Sequence, residues 1–487
     1  MGMETVPDYR KLKIKYFSML DKKGLEKGRM RTFIGLSSWI YRHHLQSSES
    51  DPIELHLESL SVALEDALSI KENSELRKKL GDLRGEWVSR PARRNKPTEK
   101  RMLSPPISEI KSWKHNGLNA VSLFSGAMGL DLGFLAAGFD IRVANDIDPW
   151  SRDTVKTNLP DLRFIDRNID DVTTKELLDL ASIAKGEVDI LVGGPPCQPF
   201  SPAGKRMGLS DPRASPLKYF INAIRELQPK AFVMEEVPGL LSSRLKHFPI
   251  SEREKREPTG EEEEGSAFKV VLQMLRSTNY NMVYGKLNSA DFGSPQVRER
   301  LIFLGLRDSS PSLPERTHSG SGIAGTLPWN TFWEATADLK PPKKDFAGLS
   351  DVTKKYMSYI PPGGNWRELP EELTKDAMKG AYYAGGGKMG FYRRLSWDEP
   401  SPTVVTTPSQ KGTMFVHPEQ DRMISVREYG RVQGFPDDWE IVGSASDKYR
   451  LIGNAVSVHL SYAVALHVRS LLEGKNIVPT SGIYAYE

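Results

Sequence analysis

The chain reads as an α/β protein built on a largely parallel, Rossmann-like sheet, and three observations carry that reading. From about Asn119 to Leu306, short apolar runs alternate with amphipathic stretches, as strand–helix–strand units require. Loops rich in Gly, Pro or acidic residues follow the ends of those runs at Phe124–Gly129, Gly193–Ser201 and Glu235–Gly239. The alternation then stops: about Asp308 to Gln420 is rich in Gly, Pro and Trp, which marks a smaller, loop-rich region.

Residues 1–112 form a separate unit in this reading. A basic segment (Lys11, Lys13, Lys15, Lys22, Lys23, Lys27, Arg29, Arg31) precedes an amphipathic helix predicted over Pro52–Ile70 and a basic linker, Arg90–Pro106. A helical extension with solvated charge and a DNA-backbone contact both fit it, since clustered Lys and Arg displace phosphate counterions. Residues 113–307 form the main domain. Its predicted strands are Ala120–Phe124, Ile141–Asn145, Val188–Val192, Ala231–Met234 and Leu301–Leu306, with helices over Thr173–Ala184, Leu217–Leu227 and Phe268–Leu275. The charged insertion between Leu241 and Ser266 lacks apolar periodicity and reads as a mobile surface loop. Residues 308–435 form the smaller domain. Residues 436–487 return to the main one through a helix over Asp447–Leu472.

With 487 residues the chain can bury a sizeable core and hold two or three domains. Its one cysteine excludes a disulfide framework and a thiolate zinc cluster, and points to a reducing cytoplasm. No metal is expected. The start lacks the apolar core of a signal peptide, and no apolar stretch of membrane-spanning length is evident. A net charge of +4 is too mild to establish a nucleic-acid partner.

Cys197 lies in Val192-Gly-Gly-Pro-Pro-Cys-Gln-Pro-Phe-Ser201, straight after a predicted buried strand. Three prolines stiffen that loop, and Gly193 and Gly194 let it turn and approach a ligand, so it presents a thiol as a nucleophile. Phe124-Ser-Gly-Ala-Met-Gly129 joins a strand to a helix, and Asp146 stands about twenty residues on at the end of the next strand. Together they suit a ribonucleoside, with too few glycines for a pyrophosphate cradle. A tight turn beside a solvated Asp is the competing reading. In Met234-Glu235-Glu236-Val237 strand alternation allows one carboxylate at most to face the pocket. Arg298 and Arg300, on one face of Gln296–Arg300, suit an anionic or carbonyl-bearing substrate.

In this order, with Asp211-Pro212-Arg213, Arg431-Val-Gln-Gly-Phe-Pro436 and Ile452-Gly-Asn-Ala-Val456, the motifs resemble those of the cytosine-5 DNA methyltransferases over about Asn119–Leu472. The resemblance implies a class I S-adenosylmethionine-dependent methyltransferase with a smaller target-recognition domain. It makes Cys197 the nucleophile that adds to cytosine carbon 6, and Glu235 the group that binds ring nitrogen 3 and the exocyclic amine. Arg300 contacts the cytosine carbonyl and Arg298 supports the pocket. S-adenosylmethionine falls to Phe124, Gly126, Gly129, Asp146, Ile147, Asn168, Ile169, Pro196, Asn454, Ala455 and Val456. DNA contacts fall to Gln198, Ser201, Lys205 and Arg206 of the loop that closes over a flipped base. Arg393, Arg394, Trp397 and Lys388 of the recognition region are further candidates.

Three departures stand out: Met128 where relatives have glycine, Glu236 where they have asparagine, and Asn168 where many have aspartate. The resemblance implies a bacterial, cytoplasmic, monomeric enzyme that modifies double-stranded DNA, paired functionally with a restriction endonuclease. A tRNA cytosine-5 methyltransferase and a non-catalytic homologue of the same fold are the alternatives. The length of Asp308–Gln420 favours DNA, and Cys197, Glu235 and Arg300 together favour catalysis.

Overall fold

The computed structural model describes residues 115, 117–196, 215–249, 252, 255–320, 325–383, 389–474, 479–480 and 483–484. The readings of residues 1–112, of Cys197, Gln198, Ser201, Lys205 and Arg206, and of Lys388 lie outside them. The described chain divides into two compact units, residues 350–394 and the remainder.

The larger unit is built on a seven-stranded sheet. Its strands are β1 (Asn119–Leu123), β2 (Asp140–Asn145), β3 (Arg163–Ile165), β4 (Ile190–Gly193), β5 (Ala231–Glu236), β6 (Asn281–Asn288) and, after a short β7 (Gln296–Val297), β8 (Glu299–Leu306). They lie in the order β3-β2-β1-β4-β5-β8-β6. Neighbours from β3 to β5 run parallel, and β8 alone is reversed, pairing antiparallel with both β5 and β6. The strand order changes direction between β1 and β4. In sheets of this kind ligands bind at that point, outside the carboxyl ends of the strands.

Strand alternation divides the core between the two faces. Ala120, Ile190, Val192, Ala231 and Val233 enter one apolar cluster, whereas Val121, Leu123, Leu191, Phe232 and Met234 enter the other. The helices following the strands are α1 (Gly129–Ala136), α2 (Pro149–Asn158), α3 (Thr174–Ala181), α4 (Ser215–Leu227) and α5 (Ser266–Arg276). Leu217, Phe220, Ile221, Ile224 and Leu227 of α4 recur at helical spacing and are all buried in the second cluster. After α6 (Phe332–Thr336) come α7 (Asp351–Met357), α8 (Glu371–Met378) and α9 (Gly380–Tyr383) of the smaller unit. The chain then returns through α10 (Val426–Gln433), α11 (Ala445–Asn454) and α12 (Val458–Glu473).

Helix α12 packs along α1, and Gly133 is the reason the two can meet: a side chain there would run into Ser461 and Tyr462. The helix predicted over Asp447–Leu472 is two helices, broken where Ala455 takes an extended conformation, φ −64° and ψ 151°. By length and composition alone Ala445–Glu473 passes for a membrane-crossing helix, as buried core helices also do, but it is broken at Ala455 and most of it is buried in this core.

The charged insertion is also more ordered than its composition suggests. Its described part folds back on Glu262, which is 2% exposed and accepts from both Arg256 (2.6 Å) and the Thr259 amide (3.0 Å). The buried carboxylate ties the described part of this insertion together.

Candidate active site

The loop leaving β1 has three residues in left-handed conformations: Phe124 (φ 60°), Gly126 (φ 54°) and Met128 (φ 70°). The φ of Met128 explains why a glycine is easily accommodated there, and its side chain, fully buried, compensates for the strain by filling the core. The Ser125 amide donates to Asn145 O at 2.9 Å, and the Gly126 amide to Asp146 Oδ2 at 2.9 Å, which ties the loop to the end of β2. The Asp148 amide takes the other carboxylate oxygen at 2.8 Å. Burial raises the Asp146 carboxyl above its ordinary pKa, against the pull of those two amides.

Next to Asp146, Ile147 is 67% exposed, an apolar side chain held in the open beside the loop. Asn145 Nδ2 reaches the carbonyls of Ile165 and Arg167, at 2.9 and 3.0 Å, and so places the residues that follow β3. There Asn168 is exposed, and its Oδ1 accepts from the Asp170 amide at 3.3 Å, so its side chain caps a short helical turn. Ile169 buries its side chain in the second apolar cluster. Gly129 closes the far side: a methyl group there would come within 2.8 Å of Ala455 Cβ and also strike Val456 O. Asn454 is exposed at the end of α11, while Ala455 and Val456 pack in the core. The close approach at Gly129, the glycine-lined loop and the acid at the end of β2 meet at one edge of the sheet, and these groups fit an adenosine-type cofactor.

At the ends of β4, β5 and β8 lies the second half of the site. The register sets Glu235 of β5 beside Ile302 of β8. Arg300 Nε lies 2.6 Å from Glu235 Oε1, with each side chain 12% exposed. The other oxygen, Glu235 Oε2, lies against Gly194, where a methyl group would come within 2.8 Å of it. Gly194 thus lets the loop that carries Cys197 pass directly over the glutamate. Pro196, the last described residue of that loop, is exposed. Glu236 is 2% exposed, buried in the fold rather than offered to a ligand.

Arg298, which strand alternation sets on the same face as Arg300, does not line the pocket. It is enclosed, 2% exposed, and its guanidinium donates to the carbonyls of Val404, Gly453 and Ala455. A group so placed does not touch a substrate. Arg394 is corrected for the same reason: it is 6% exposed, and Nε and Nη2 donate to Ile360 O and Met357 O within its own unit, so its donors serve the fold rather than DNA. Arg393 is half-buried. Trp397 is buried against Phe332, Trp333 and His417 and donates to Glu419, which makes it a packing residue. Sequence reasoning quoted Gln296 and Gln433 inside motifs without giving them a role. They meet in the core, Gln296 Nε2 donating to Gln433 Oε1 at 2.6 Å, and only their position as buried amides could have signalled it.

A parallel sheet with one reversed strand, a glycine loop at its switch point and an acid ending β2 defines a class I S-adenosylmethionine-dependent methyltransferase. The family described as "C-5 cytosine-specific DNA methylase" matches residues 118–470. The chain belongs to that family, whose activity is methyl transfer from S-adenosylmethionine to carbon 5 of cytosine in DNA. It is 37% identical to the Type II methyltransferase M.PspPI of Psychrobacter over 363 residues, covering 72% of this chain and 79% of the relative. It is 35% identical to the Type II methyltransferase M.Sau96I of Staphylococcus aureus (73% and 76% covered), and 34% to M.Eco47II of Escherichia coli (74% and 81%).

Proposed function

We propose that this methyltransferase modifies one cytosine within a short specific sequence of double-stranded DNA, through covalent addition of Cys197, and that the mark protects bacterial DNA from a partner restriction endonuclease in the cytoplasm. The observation that carries the chemistry is the Glu235–Arg300 pair, 2.6 Å apart, directly beneath Gly194 of the cysteine loop. The protective role rests on the Type II relatives.

Cytosine carbon 5 is a weak nucleophile, and the target base must first leave the stack, at a cost of a few kcal/mol. Arg300 holds the base by its carbonyl, and Glu235 holds ring nitrogen 3 and the exocyclic amine. Charge that develops in the ring is stabilised by groups already in place. Cys197 gives up its thiol proton and bonds as thiolate to carbon 6, which makes carbon 5 nucleophilic. When bound, S-adenosylmethionine supplies an electrophilic methyl group, and Gly126, Gly129, Asp146 and Ile147 would hold it. Solvent water takes the carbon 5 proton, and the electron pair left behind reforms the carbon 5–carbon 6 double bond and expels Cys197 as thiolate.

Residues 308–435 are the candidate for reading the DNA sequence. Within them, the unit 350–394 offers Arg367 and Tyr383 in place of the enclosed Arg394. Arg367 is exposed, its guanidinium 5.5 Å from the Trp366 ring centre, and Tyr383 is 78% exposed.

The test is methylation of unmodified genomic DNA by the purified protein with S-adenosylmethionine, read by bisulfite sequencing. Protected cytosines sharing one short motif are expected for wild type and none for Cys197→Ala. Comparable protection by the mutant would refute the covalent route.

A further inference from the structure

Three motifs far apart in sequence converge on the C-terminus of α11, and Arg298 is at their centre. Its Nη1 donates to Val404 O at 2.8 Å; its Nη2 donates to Gly453 O and Ala455 O, each at 2.9 Å. Gln433 Nε2 adds a bond to Ile452 O at 3.0 Å and another to Ala455 O. Gln296, two residues before Arg298, binds Gln433 through its amide nitrogen and accepts from the Val404 amide at 2.7 Å through its oxygen. The orphan carbonyls that end a helix are thus taken by two side chains from other elements.

This arrangement is costly. A fully enclosed guanidinium is deprived of water, and Arg298 Nε has no hydrogen-bond partner. Burial lowers its pKa well below the ordinary arginine value, and the positive charge of Arg300 acts in the same direction. What favours the cation there is the negative end of the α11 dipole and the three carbonyls, with Glu235 opposing Arg300. An apolar side chain would fill the same space without an unpaired donor.

The two ends of this strut explain its use. One end is the turn Gly453–Val456, whose Ala455 and Val456 abut Gly129 of the cofactor loop. The other is the start of β8, two residues before Arg300 and its ion pair with Glu235. The geometry points to Arg298 as a positioning residue that sets the distance between the cofactor turn and the cytosine-binding pair. It rests on the reading of Gly129 and Asn454–Val456 as cofactor wall and of Glu235–Arg300 as base site.

The test compares Arg298→Met and Arg298→Lys with Arg300→Lys, each as the full chain. Thermal unfolding, the affinity for S-adenosylmethionine without DNA, and kcat and KM for methylation of DNA are measured. Both Arg298 variants are expected to bind cofactor at least tenfold more weakly and to lose kcat; Arg300→Lys is expected to lose kcat while binding cofactor as wild type does. Arg298→Lys retains length and charge and serves if the methionine variant does not fold. Folded Arg298 variants with a lowered Tm but wild-type cofactor affinity and kcat would overturn the proposal and leave Arg298 a purely structural group. Wild-type protein that binds no S-adenosylmethionine would overturn the reading of the site, and the proposal with it.

Discussion

At the scale of single residues, the Glu235–Arg300 pair is where a small change costs most. Glu235→Gln keeps the shape but removes the charge that orients Arg300, and Arg300→Lys loses the planar fork. Each is expected to slow methyl transfer by about 100-fold or more, with cofactor binding retained, in single-turnover assays. Asp131, in the first turn of α1 under the cofactor loop, behaves differently. Burial pushes its carboxyl up to about 7, with the Ser122 hydroxyl opposing and the Asp146 charge adding. A carboxyl whose folded pKa is raised above its unfolded value binds more protons when folded, so it removes stability as pH climbs from about 4 to about 7. Asp131→Asn is therefore expected to stabilise the protein at pH 8, by an amount on the order of 4 kcal/mol, and to lose that advantage by pH 4. Denaturant unfolding at the two pH values checks the sign. His459 has the opposite slope: burial lowers it to about 3, so the neutral ring favours folding until acid protonates the unfolded chain below its usual pKa of 6.5.

At the scale of elements, the loops depend on what their glycines admit. Gly194→Ala places a methyl group 2.8 Å from Glu235 Oε2, and the glutamate must shift. Methylation is expected to fall at least tenfold with little change in Tm. Met128→Gly is a contest between two terms. Relief of the φ 70° conformation gains about 1 kcal/mol, whereas removal of a fully buried methionine loses about 1.5 to 3. A net loss of stability is expected in thermal melts. The strands and helices with strong periodicity were legible within a few residues, because β1, β2, β4, β5, β8 and α4 put apolar side chains in the core at regular spacing. β3 and β6 were not. β3 is three residues long with one buried, and β6 lies at the sheet edge with none of its residues fully buried, so neither gives an apolar run. The break between α11 and α12 escaped for another reason: the residues at Ala455–Ser457 are ordinary helix material, and the extended turn serves Arg298, between β7 and β8, and Gln433 of α10.

At the scale of the whole molecule, the returning C-terminal helices belong to the catalytic fold. Val458, Leu460, Val464, Leu466 and Val468 of α12 are buried in the cluster that covers one face of the sheet. Burying five such side chains contributes about 10 kcal/mol, comparable with the total stability of about 5–15 kcal/mol typical of a domain. A chain truncated before residue 458 is expected to be insoluble or unfolded, which expression and circular dichroism would show. By itself the sequence determined the α/β alternation, and with it the delivery of the Gly126 loop, Asp146, the cysteine loop and Glu235 to one edge. Parallel strands with chemistry in the loops after them leave few other arrangements. The resemblance assigned Arg300 to the base and Arg298 to support, but what Arg298 holds was decided only by the tertiary structure. Arg298 and Arg300 are two residues apart and alike in any local pattern, but the fold brings carbonyls more than a hundred positions away onto the first and a carboxylate onto the second. Burial and long-range partners assign their roles, and neither is written in the spacing of a motif.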